Sequence, residues 1–278
     1  MACYQWCTLA RWASSQKCSS RVKSATPHTS CHPKCASVTI AHLTSLRNGL
    51  NLSNTFNVAV FGMAAVAFWC QCHLAKVCMD LYFYPLIHVS CTSPQKSGTT
   101  VSNIYYSLFW APSMNTNPTG KEIRWMDSAC PCSAEWAFKN HLMVNSCVPL
   151  AAHIFTFETE LGGFEPMRRH WFLKRCNEVW SSSLLSPLSS NSFRIGGTTH
   201  LLLLGMDPFI VMVQGHWKSA AFSEYWCLCE EIIPTLIGFL LQSQYFLIST
   251  MILFKQWLVS LILFFSYWES VCCHLFAQ

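Results

Sequence analysis

The chain has 278 residues, enough for one large domain or two small ones, each with a core of its own. Hydrophobic residues make up 52% and charged residues only 11%, where soluble domains carry about 25% charged. Much of the apolar excess falls after Ile232, which argues against a membrane protein along its whole length. The net charge of +5 permits a phosphate-lined partner and is too small to imply one.

Seventeen cysteines would suggest disulfides in a secreted protein, but MACYQWCTLARW lacks an apolar core followed by a small-residue cleavage site. Reduced thiols are the expectation. The pairs Cys31/Cys35, Cys70/Cys72, Cys130/Cys132, Cys227/Cys229 and Cys272/Cys273 never supply two CxxC motifs at zinc-ribbon distance. His28, Cys31, His32 and Cys35 make at best half a metal site, so no metal and no cofactor is expected.

Residues 1–36 are rich in Ser, Cys, Lys and Arg without apolar periodicity, and read as a disordered or unselected basic arm. Val38, Ile40, Leu43, Leu46 and Leu50 then follow helical spacing, with Ser37 as N-cap and Gly49 as stop. After a second cap at Leu52–Ser53–Asn54, the run from Phe56 to Leu74 is apolar almost all round, the mark of a central buried helix rather than a span flanked by polar chain.

From Tyr82 to Trp110 aromatic and β-branched residues predict a hairpin or three-stranded sheet, interrupted by Ser–Pro–Gln–Lys–Ser–Gly, with SNIYYSLFW as its clearest strand. NTNPTG at 115–120 is a turn cluster. A helix is expected near Ala134–Val144, a strand at His153–Phe157, a turn at Gly162–Gly163, and a helix from Pro166 to Trp180. The order predicts a mainly α fold with a small β-hairpin sheet, α+β in class.

Asn191–Trp226 carries the chemistry. Arg194 is expected at the start of a helix whose Gly196–Gly197 pair allows close backbone approach, suited to holding a phosphate. Gly205 ends that helix, Asp207–Pro208 opens the next, and Gly215 ends it before His216 and Trp217. Tyr225 lies nine residues after His216.

The sequence R–I–G–G, a two-helix span, then G–H and a Tyr nine residues on resembles the tyrosine recombinase/phage integrase family, in particular the mobile-element recombinases of eukaryotes. The likeness runs loosely over residues 37–239. It implies a DNA breaking-and-rejoining catalytic domain in which a tyrosine hydroxyl attacks a phosphodiester without a metal and fixed cations stabilise the charge. Tyr225 matches the nucleophile, Arg194 the second arginine and His216 the second histidine.

Other positions depart from the pattern. The family's H-x-x-R reads Asn191–Ser192–Phe193–Arg194, and its first arginine stands as His73. A hairpin lysine expected just after Trp110 is replaced by Ala111–Pro112–Ser113, and Lys121 would substitute only with a shifted hairpin register. Because each lost donor costs about two to three orders of magnitude in rate, the expected protein is a DNA-binding relative with little turnover. His73 would retain part of a positive charge, since an ordinary imidazole titrates near neutrality.

The resemblance further implies double-stranded DNA as partner, a homo-oligomer assembled on it, a nuclear location, and backbone contacts through Arg168, Arg169, Lys174 and Lys218. Alone, that basic run on the helix from Pro166 would be an ordinary solvated face. Residues 240–278 form a hydrophobic tail, read as unselected sequence or else as a membrane segment, since Ile232–Phe254 holds no charged side chain. A membrane-anchored protein with a vestigial recombinase-like segment is the competing reading.

Overall fold

The computed structural model describes residues 36–80, 82–113, 119–128, 130–217, 230–242, 251 and 255–256. It divides into two compact units, Met1–Cys229 and Glu230–Gln278. Among the described residues of the second unit, 230–242 are helical. No helix among the described residues is long and apolar enough to cross a membrane.

The first unit is α+β: seven helices among the described residues accompany a three-stranded and a two-stranded antiparallel sheet. Helix α1 (Ile40–Gly49) buries Leu43 and Leu46. Its N-cap is Thr39, not Ser37, because Val38 is occupied elsewhere: its backbone N–H donates to the Ser192 carbonyl at 2.9 Å. The helix starts only once that tether ends.

Helix α2 (Thr55–Trp69) is the centre of the fold. Asn54 caps it by accepting from the Asn57 backbone N–H at 3.0 Å. Every residue from Val58 to Phe68 is buried, which explains an apolar run with no polar face. The helix stops at Trp69, short of the Leu74 expected from sequence. Gln71 enters the left-handed region at φ 53°, and the Cys72 N–H closes back on the Ala67 carbonyl at 3.0 Å. A single-turn helix α3 (Leu74–Val77) follows.

Strands β1 (Gln95–Thr99), β2 (Tyr105–Ala111) and β3 (Lys121–Met126) form a sheet in that order. The polar segment read as an interruption is therefore itself a strand: β1 lies at the sheet edge, where polar side chains meet water and no apolar alternation is needed. In β3, Ile123 and Trp125 face inward. Trp125 Nε1 donates to Glu135 Oε2 at 2.7 Å, docking the sheet on α4 (Ala134–Val144), which has the bounds expected from sequence.

Strands β4 (Thr156–Glu158) and β5 (Phe164–Pro166) make the small hairpin around Gly162. His153 forms only an isolated bridge to Ser90, so the strand begins later than expected. Pro166 closes β5 rather than opening a helix, and α5 runs Arg169–Ser182. The short edge hairpin tolerates a residue with no N–H to donate.

Helix α6 (Ser190–Leu203) starts with Ser189 and Ser192 in mutual contact and is followed by Gly205 at φ 79°; α7 (Pro208–Gln214) is capped by Asp207, whose Oδ1 accepts from Phe209 N–H at 2.7 Å. The close approach foreseen at Gly196–Gly197 is to protein, not phosphate. A Cβ at Gly196 would lie 2.0 Å from the Val38 carbonyl oxygen, and one at Gly197 2.0 Å from that of Phe68.

Both obstacles are backbone, so neither can swing aside. Gly197→Ala is expected to lower unfolding free energy by about 1–3 kcal/mol through overpacking, read by urea denaturation. Gly163→Ala, whose Cβ would meet only Thr159 Oγ1 at 3.4 Å, serves as the near-neutral comparison.

Candidate functional site

The close seating of α6 on the end of α2 brings Arg194 beside the Gln71 turn. Arg194 lies in the second turn of α6, not at its tip, and is 6% exposed. One terminal nitrogen donates to the Gln71 carbonyl and the other to the Gly215 carbonyl, each at 2.8 Å. Its guanidinium carbon sits 3.8 Å from the centre of a Trp217 ring. Gly215 leaves room for that indole, since a Cβ there would fall 1.5 Å from it. Thr198 continues the network, its hydroxyl reaching the Arg194 carbonyl at 2.9 Å and Gln71 Oε1 at 3.2 Å.

His73 and His216 flank this guanidinium. His73 is the N-cap of α3 and half-buried. Burial lowers its pKa to about 4, aided by the charges of Arg194 and Lys76. The sequence-based expectation of a partly charged His73 is therefore corrected: beside a buried arginine it is neutral at pH 7. His216, in the left-handed region at φ 59°, is likewise held to about 4 by burial, Lys121 and Arg194. A neutral imidazole can donate or accept one proton but cannot act as a fixed cation.

The charge of Lys121 also acts on His216. Lys121 opens β3 opposite Ala111, on the face of Ile123 and Trp125. A cavity of about 430 Å³ lies between this strand and α7, lined by Trp110, Lys121, Arg124, Val213, Gln214 and His216 among others. Within it Arg124 is ion-paired to Glu122. Among the described residues nothing forms an ion pair or hydrogen bond with the Lys121 side chain. The lysine expected directly after Trp110 is absent there; Lys121 stands at the start of β3, and the alternation of KEIRWM, with Ile123 and Trp125 inward, is the sequence signal for its face.

Asn191 is exposed in the first turn of α6, one turn before Arg194. Tyr225 and Lys218 lie outside the described residues. The remaining expected DNA contacts are largely engaged within the protein. Arg168 caps α5 with its guanidinium 4.8 Å from the Trp171 ring, Arg169 pairs with Asp80, and Lys174 stands 4.0 Å from Glu178. Lys174 stays mostly exposed, its side chain 77% accessible. Among the described residues no group of three His, Cys, Asp or Glu is placed to hold a metal ion.

No family model matches the chain, and no curated protein matches it.

Two expectations follow from this geometry. Replacing Arg194 with Met leaves the Gln71 and Gly215 carbonyls without their donor and should cost about 2 kcal/mol or more, measured by chemical denaturation. A Met variant as stable as the parent would show that the guanidinium does not tie the two segments.

The depressed histidines set a pH dependence. Unfolded, each binds a proton below about 6.5, whereas folded His73, His141 and His216 do so near 4 and His153 near 3. Stability contributed by these groups is complete above the unfolded value and declines as pH falls from there through the folded values. Denaturation midpoints should drop between about pH 6.5 and 4, and imidazole resonances followed by NMR should titrate near the folded values.

Proposed function

We propose that the chain is a double-stranded-DNA-binding relative of the tyrosine recombinases, with strand-transfer chemistry impaired and a nuclear location. One observation carries this reading. His73, Lys121, Arg194 and His216, drawn from four separate segments, are close enough for the charge of Arg194 to act on both imidazoles and that of Lys121 on His216. Three of them, His73, Arg194 and His216, are positions at which the resemblance implies groups that handle a phosphodiester. The element order, helices, then a small sheet, then helices bearing the R–I–G–G and G–H motifs, agrees with it.

The electrostatics support impairment. An attacked phosphate gains charge in the transition state and needs fixed cations around it. His73 stands neutral where an arginine is implied, and two nitrogens of Arg194 serve backbone carbonyls. Lys121, without an ion pair among the described residues, offers a cation to a DNA backbone in a groove one of whose walls is the neutral His216.

DNA retention measured over a salt series tests the proposal. Affinity of the full chain for duplex DNA is expected to fall steeply with ionic strength, since neutralised phosphates release counterions. Lys121→Gln should weaken binding to all sequences alike and reduce the salt slope by about 1. With a nicked suicide substrate the unmodified chain should form no phosphotyrosyl adduct. Salt-independent retention would remove the DNA reading, and an adduct that disappears in Tyr225→Phe would remove the impairment.

A further inference from the structure

A second cavity, of about 330 Å³, lies away from the Arg194 cluster, among the start of α2, the β4–β5 hairpin and the outer face of α5. Three of its lining residues are aromatic: Phe56, Phe157 and Trp171. The rings stand nearly on edge to one another, Phe56 to Phe157 at 5.0 Å and 65°, and Phe157 to Trp171 at 6.4 Å and 70°. Aromatic π-faces attract weakly hydrated cations. Trp171 already does so for the chain's own Arg168, which is not among the residues lining the cavity.

The charges around the rings are separated. Glu165 stands directly opposite Phe157 in the hairpin register, which puts both side chains on one face. Among the described residues no hydrogen bond or ion pair reaches its carboxylate. On the α5 side are two cations and one carboxylate: Arg175 donates to Glu178 and Asn57, both at 3.1 Å, and Lys174 stands 4.0 Å from Glu178. One wall is thus negative by one charge and the other positive by one.

The cavity is also preformed. Thr55 donates to the Glu158 carbonyl at 2.6 Å, and Asn145 joins the Thr55 carbonyl to the Glu158 N–H at 3.0 and 3.1 Å, tying α2 to β4. A site already assembled loses little ordering entropy on binding.

We propose that this cavity binds a zwitterion of the phosphocholine type, with its trimethylammonium group against Phe56, Phe157 and Trp171 beside Glu165, and its anionic group on Lys174 and Arg175. Quaternary ammonium suits the rings because it has no N–H to leave unpaired and is weakly hydrated. The opposed wall charges select a zwitterion over choline alone, and 330 Å³ lies within the range of small-ligand sites. The site stands independently of the recombinase-like reading.

Calorimetry on the full chain, titrated separately with phosphocholine, choline and phosphoethanolamine, tests it. Phosphocholine is expected to bind at least fivefold more tightly than either partial analogue. Glu165→Gln and Lys174→Met, both exposed positions, should each weaken phosphocholine severalfold without changing the unfolding midpoint, and Trp171→Leu should weaken it at least tenfold. Phosphatidylcholine vesicles in a flotation assay decide the source: capture assigns a lipid headgroup, and its absence with free phosphocholine bound assigns a soluble ligand. Absence of binding in both arms, equal affinity for all three compounds, or unchanged affinity in both Glu165→Gln and Lys174→Met would overturn the proposal.

Discussion

The guanidinium of Arg194 joins parts of the first unit that are far apart in sequence. It reaches across 123 residues to the Gln71 carbonyl and across 21 to that of Gly215, from a helix whose own position depends on Gly196 and Gly197. The bonds are charge-assisted and buried, where a lost partner costs more than it does in water. The left-handed turn at Gln71, the ends of α2 and α7, and His73 and His216 all adjoin that junction. Trp217 closes it from one side, so a charge that is costly to bury is met by carbonyl dipoles and an aromatic face.

Placing a cation there changes what its neighbours can do. Burial together with Arg194 keeps His73 neutral, and burial, Lys121 and Arg194 do the same to His216. An imidazole in such surroundings supplies hydrogen bonds and shape but no positive potential. Elsewhere the pattern is compensation: Arg169 with Asp80, Arg124 with Glu122, and Arg175 with Glu178. Exposed pairs of this kind contribute little stability, but they cancel the field that an approaching polyanion would feel. Lys121 has no such pair among the described residues and lines a groove with His216.

The helices were legible wherever period, cap and stop agreed. Asn54 before an apolar run and Asp207–Pro208 before Phe209 each mark a start with its own chemistry, and the helices begin where those residues stand. The misread boundaries share a cause, because in each a pairing partner outside the segment overrode its local signal. Val38 is drawn onto Ser192, Pro166 pairs with Thr156, and polar β1 is a strand because β2 lies beside it. Edge strands carry little alternation, so their hydrogen-bonding partner defines them more than their composition does.

By itself the sequence determined the residue types available for chemistry and the sites of helix initiation, because capping, periodicity and backbone restriction at Pro and Gly act over a few residues. It placed Arg194 on a helix near a glycine pair, and His216 in a turn. Whether those groups are charged, exposed or engaged depended on neighbours up to 123 residues away. Only the tertiary structure decided that the glycine pair makes room for the Phe68 and Val38 carbonyls, that His73 lies under the field of Arg194, and that Lys121 opens β3 facing His216. Burial and Coulomb interaction depend on distance in space, and the local alphabet of caps and periods carries no measure of it.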